Sequence, residues 1–150
     1  MRKYKFAMFG IVATLILGCA TINKMPKIDK AEFGFLSLAQ DGSIIFLESE
    51  RVPLKVGTPY GWRIHMTTDK DELTWKEVLM LPSPPQVWGH KGHTKIDDHG
   101  KVAITEKTVQ IENGWIGNGW SVAEGDPPGT YVIEIYIEGI LVKRFSFILE

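Results

Sequence analysis

From Thr130 to Leu149 the chain alternates with a period of two. Tyr131, Ile133, Ile135 and Ile137 fall on one side, and Val132, Glu134, Tyr136 and Glu138 on the other. After Glu138-Gly139 the return segment carries Phe145, Phe147 and Leu149 in a single phase. Such alternation is the mark of a half-buried strand, and a two-residue glycine-containing connection makes a tight hairpin turn. The hairpin therefore has one strongly apolar side that another layer must cover.

The same period recurs upstream. Tyr60, Trp62, Ile64 and Met66 alternate with Gly61, Arg63, His65 and Thr67, while Phe33, Phe35 and Leu38 mark a strand over Glu32 to Gln40. Ser43 to Leu47 pairs with that strand across Asp41-Gly42, itself a hairpin signal. Leu73 to Leu81 reads as a strand rather than a helix, because it is short and Pro82, Pro84 and Pro85 terminate it. Lys101 to Glu112 supplies one longer strand or two shorter ones, and Trp120 to Ala123 another. Seven or eight short strands separated by Gly, Pro and Asp turns predict an all-β fold, an antiparallel β-sandwich over residues 32–150. The 150 residues are 44% apolar and 23% charged, ordinary for one packed domain.

The amino-terminal segment follows different rules. Arg2, Lys3 and Lys5 precede an uncharged apolar run from Phe6 to Leu17, and Gly18 leads into Cys19. A basic head, an apolar middle and a small residue at the break describe an export signal over residues 1–18, whose twelve-residue apolar run falls well short of the ~20 that cross a bilayer as a helix. Ile16-Leu17-Gly18-Cys19 resembles the lipobox of bacterial lipoproteins. The resemblance implies cleavage before Cys19, diacylation of its thiol and acylation of the new amino terminus. With Ala20 following, it also implies the periplasmic face of the outer membrane in a Gram-negative cell. Cys19 is the only cysteine, so no internal disulfide is possible.

Residues 19–31 read as the acylated cysteine followed by a polar tether that contains Pro26 and spans about 40 Å when extended. Loss of Arg2, Lys3 and Lys5 with the signal takes the basic residues from seventeen to fourteen against eighteen acidic ones, a net of −4. That balance leaves no basic patch for nucleic acid, so the expected attachment is to membrane through lipid.

Gly125-Asp-Pro-Pro-Gly-Thr-Tyr131 and the hairpin after it resemble the last strands of immunoglobulin-like domains of bacterial envelope proteins. The resemblance implies an Asp126, Gly129, Tyr131 corner, a core tryptophan at Trp75, and Ile133 where antibody domains carry cysteine. The last seventy residues also resemble small exported bacterial proteins of unknown function, which implies a fold and no activity.

Two clusters are candidate sites. Asn113-Gly-Trp115 and Asn118-Gly-Trp120 repeat one pattern, read here as turn formers that each deliver a large ring. Five residues apart on a strand, the two rings face opposite sides. Trp120, in phase with Val122, is expected in the core, and Trp115 with Trp88 on a displayed platform for a glycan or an envelope protein. Trp88, Trp115 and Trp120 are thus the candidate ligand-binding residues. The stretch from His90 to His99 offers His90, His93, Asp97 and His99 as ligands for zinc or copper, or is a solvated loop in which Lys91 and Lys95 oppose a cation.

No nucleophile elbow, HExxH or phosphate loop is present. Glu48 and Glu50 read as solvated edge charges before they read as a catalytic pair. The expectation is a binding or assembly module without catalysis or cofactor. Its alternatives are a metal-binding envelope protein and an inhibitor that presents Ser83 to Trp88 to an enzyme cleft.

Overall fold

The computed structural model describes residues 25–89 and 92–150. The export signal, the lipobox with Cys19, the first part of the tether and His90 lie outside the described residues. Ten strands and no helix are found among the described residues: β1 (Lys27–Leu38), β2 (Ile44–Glu48), β3 (Arg51–Val52), β4 (Pro59–Thr67), β5 (Glu72–Met80), β6 (Thr94–Ile96), β7 (Val102–Gln110), β8 (Trp115–Ser121), β9 (Gly129–Ile137) and β10 (Ile140–Leu149). One sheet has the order β2-β1-β4-β8 and the other β3-β10-β9-β5-β7-β6. Every pairing is antiparallel except β3 against β10.

The period-two pattern decides which residues meet. Tyr60, Trp62, Ile64 and Met66 of β4 join Leu73, Trp75 and Leu79 of β5 and the isoleucines of β9 in one buried cluster. Trp62 and Trp75 meet edge to face at 5.3 Å across the sheets, and Phe33 stacks on Phe147 at 4.3 Å. Ile133 is fully buried, so packing stands where a disulfide would in an antibody domain. The β9–β10 connection is the expected two-residue turn, with Glu138 and Gly139 at φ 50° and 81° and Ile137 opposite Ile140. Tyr131 donates its hydroxyl proton to the Pro127 carbonyl at 2.8 Å, while Asp126 accepts from the Ala123 amide, closing a tyrosine corner.

Four features differ from the sequence reading. The first strand begins at Lys27, inside the stretch read as tether, because Lys27 and Ile28 continue the β4 ladder and a bulge at Asp29 brings its carboxylate to the Thr67 hydroxyl at 2.7 Å. The strands number ten, since β3 and β6 are too short to show a period. β8 begins at Trp115 rather than Trp120, and only the first Asn-Gly pair turns, with Asn113 and Gly114 at positive φ. The second pair lies inside β8, where Asn118 is opposite Trp62 and Gly119 opposite Gly61.

Gly34, Gly61 and Gly119 form one row across β1, β4 and β8. A Cβ at Gly61 would lie 2.2 Å from the Asn118 carbonyl oxygen, whereas the nearest atom to one at Gly119 is 3.5 Å away. The β4–β8 ladder therefore closes only because position 61 has no side chain. Gly61→Ala should destabilise the domain by about 1–3 kcal/mol through forced strand separation, with Gly119→Ala close to neutral. Equal denaturation midpoints for the two variants would contradict this.

Candidate functional site

Leu73, Trp75, Glu77 and Leu79 share the inward phase of β5, which places a carboxylate in the core. Glu77 is completely buried. Its oxygens accept hydrogen bonds from the opposite sheet: the Trp62 indole on Oε2, and on Oε1 the Trp120 indole at 2.7 Å and the Asn118 amide at 3.1 Å. A buried carboxylate is costly unless donors satisfy it, and charge-assisted bonds of this kind are the strong ones. The motif reading passed over Glu77, although a glutamate in phase with Leu73, Trp75 and Leu79 is the signal that marks it.

Beside this cluster lies a pocket of about 190 Å³ between the sheets. β4 gives it Tyr60, β5 Leu79, β8 Trp120 and β9 Tyr131, and the segment after β5 closes it with Trp88. Trp88 is half-buried, donates its indole N–H to the Gly100 carbonyl at 2.9 Å and meets Trp120 edge-on at 6.3 Å. Tyr60 is 5% exposed, and its hydroxyl makes no hydrogen bond with a described residue. Burial, then the nearby Asp126, Tyr131 and Glu77, push that hydroxyl well above the ordinary tyrosine range, so it stays a neutral donor. The pocket thus combines aromatic and aliphatic walls with the Tyr60 hydroxyl, and Ser121 and Asp126 also line it.

The three candidate tryptophans do not form one platform. Trp120 is 9% exposed and belongs to the core, as its phase with Val122 requires. Trp88 joins it at the pocket, whereas Trp115 lies on the outer face of the four-stranded sheet, half-buried, against His65 at 5.0 Å and beside the Arg63 guanidinium at 5.0 Å. Arg63 also covers the Phe46 ring at 4.4 Å and binds the buried Glu32 at 2.5 Å. The Lys30 ammonium is the largest influence holding Glu32 down to about 2, with Arg63 adding to it and burial opposing. The outer face is therefore neutralised by its own ion pairs.

His93 and His99 are exposed, and Asp97 is committed to its turn, accepting from the Lys101 and Val102 amides at 2.8 Å each. Those amides, the Val102 bond foremost, lower its carboxyl below the usual range. Among the described residues no three His, Cys, Asp or Glu side chains are grouped to hold a metal ion. Glu48 ends β2 and Glu50 lies in the following loop, so the two do not share a strand face.

Two packed sheets, a tyrosine corner and a buried mid-chain tryptophan define an immunoglobulin-like β-sandwich. The chain belongs to the PM0630 beta sandwich domain family, whose model matches residues 31–150. The immunoglobulin-like protein PA1606 of Pseudomonas aeruginosa aligns with a TM-score of 0.57 and 15% identity over 86% of this chain and 99% of that one, a likeness of fold alone. The alkylpurine DNA glycosylase AlkC of Pseudomonas fluorescens reaches only 0.39, at 11% identity over 80% of this chain and 30% of its own, and carries no argument. No curated protein matches the chain.

The carboxylate cluster makes a direct prediction. Glu77→Leu should cost about 3 kcal/mol or more in urea unfolding, since two buried indoles and the part-buried Asn118 amide each lose an acceptor, and Glu77→Gln should cost less because one oxygen survives. An unchanged midpoint for Glu77→Leu would refute the role given to the carboxylate.

Proposed function

We propose that the chain is an exported lipoprotein of the bacterial envelope whose sandwich acts as a non-catalytic binding module through the Tyr60–Trp88–Trp120 pocket. The observation that carries the reading is a pocket walled by Trp88, Trp120 and Leu79 into which the Tyr60 hydroxyl brings a donor, with Ser121 and Asp126 also in the lining. Recognition sites commonly combine apolar walls with a few well-placed polar groups, and a neutral hydroxyl at the pocket wall favours a ligand that brings an acceptor. At about 190 Å³ the pocket is of the size of a single ring, since an engineered cavity of about 150 Å³ holds benzene. The ligand class is one aromatic or apolar side chain of an envelope partner, carrying a hydrogen-bond acceptor at its tip.

Small probes test this without knowledge of the partner. Phenol should shift the side-chain resonances of Trp88 and Trp120 and raise the melting temperature of the full chain, and toluene should do so less. Tyr60→Phe should abolish the difference between the two probes while leaving toluene binding intact. If neither probe perturbs those tryptophans, the pocket is not a binding site.

Lipid anchoring is supported by the lipobox-like Ile16-Leu17-Gly18-Cys19 after a basic and apolar leader. Two or more acyl chains would make attachment stable, each buried methylene contributing about 0.8 kcal/mol. Wild-type protein from cells should carry palmitate label and the mass of a chain beginning at Cys19, and Cys19→Ser should lose both. An unprocessed, unlabelled wild-type chain would overturn the assignment.

A further inference from the structure

The four edges of the two sheets are not alike. Those of the six-stranded sheet, β3 and β6, are two and three residues long, which blunts them as templates for further pairing. In the four-stranded sheet β8 is interrupted by Gly117 and Gly119, whereas β2 runs Ile44-Ile45-Phe46-Leu47-Glu48 without glycine, proline or a basic residue. Around β2 the surface is unusually apolar: Ile44 and Leu38 are each 72% exposed, and Leu36, Ile45 and Leu47 about 40%. An edge strand of that composition is normally covered or paired.

The backbone shows which groups are free. Ser43 accepts from Ala39, and the Ser49 amide donates to Phe33, so Ser43, Ile45, Leu47 and Ser49 direct their peptide groups at β1. In an antiparallel ladder the intervening residues point the other way. Ile44, Phe46 and Glu48 therefore present their N–H and C=O groups at the open edge.

From this we infer that β2 pairs antiparallel with β2 of a second copy, about a two-fold axis through Phe46. The axis must pass through a residue rather than between two, so that outward-facing peptide groups meet one another, and only at Phe46, the middle of β2, does it engage all five residues of the strand. The resulting register is self-complementary. Phe46 faces its own counterpart, Ile44 faces Glu48, and Ile45 faces Leu47 in the close, non-hydrogen-bonded positions where side chains touch most. Glu48 is the strand's one charge and meets an isoleucine, so no like charges oppose each other across the axis. A two-fold contact closes on itself, joining two four-stranded sheets into one of eight strands and ending growth there. None of the residues that line the Tyr60 pocket belongs to β2, so the interface stands independently of that site.

The test is the molar mass of the full chain in detergent micelles, by light scattering corrected for detergent. The wild type should have the mass of two copies. Phe46→Pro removes an amide that β1 does not use, and the double variant Ile45→Lys, Leu47→Lys places lysines opposite each other, so both should have the mass of one. Mixing the lysine variant with Ile45→Glu, Leu47→Glu should restore the mass of two. Circular dichroism melts confirm that each variant is folded. A monomeric wild type, or a dimer that survives both substitutions in folded protein, would overturn the inference.

Discussion

Glu77 stands on β5, yet the donors that hold it belong to the facing sheet. Apolar packing is non-directional, and two layers of alternating Ile, Leu and Val can slide past each other at modest cost. A carboxylate that needs three particular donors cannot slide. Its requirement orients the Trp62 and Trp120 rings, keeps Asn118 turned inward within β8, and sets β4 and β8 in register with β5. The Trp120 ring in turn is a wall of the pocket that Leu79, Trp88 and Tyr60 complete. Buried polar networks of this kind are known to select one arrangement among several apolar ones of similar energy, and this geometry suits that role.

Where the chain obeys a local rule, the fold could be read directly. The β9–β10 hairpin follows from uninterrupted alternation around Glu138-Gly139, while the tyrosine corner at Asp126, Gly129 and Tyr131 was implied by the resemblance to immunoglobulin-like domains. The strand at Leu73 to Leu81 and the hairpin at Asp41-Gly42 were legible from local pattern too, and the resemblance to immunoglobulin-like domains implied the core place of Trp75. Elements governed by their partners were not. β3 and β6 exist because a neighbouring strand offers a few peptide groups, and two or three residues carry no period. Asn118-Gly119 has the composition of a turn and the structure of a strand, because Trp62 and Gly61 of β4 pair with it and the Glu77 carboxylate takes the Asn118 amide.

The candidate site shows the same division. Tyr60, Leu79, Trp88, Trp120 and Tyr131 come from five separate stretches, and no spacing links them before the sheets are stacked. Pairing Trp88 with Trp115 rested on their similar setting among turn formers, a cue that ignores which face of β8 each ring takes. The alternation on β8 sends Trp120 inward and Trp115 outward, and only the inward ring reaches Trp88. Trp115 instead shares the outer face with Arg63 and Phe46, where ion pairs and ring contacts already occupy it.

The early start of β1 alters the geometry of any anchorage at Cys19. Only seven residues, 20–26, separate that cysteine from the first strand, so the greatest stand-off is about 25 Å. Were Cys19 acylated as proposed, a sandwich on so short a leash would have little room to tumble, and would search for partners by gliding along the bilayer with one end turned towards it. Its targets would be met within a shell roughly as deep as the domain itself.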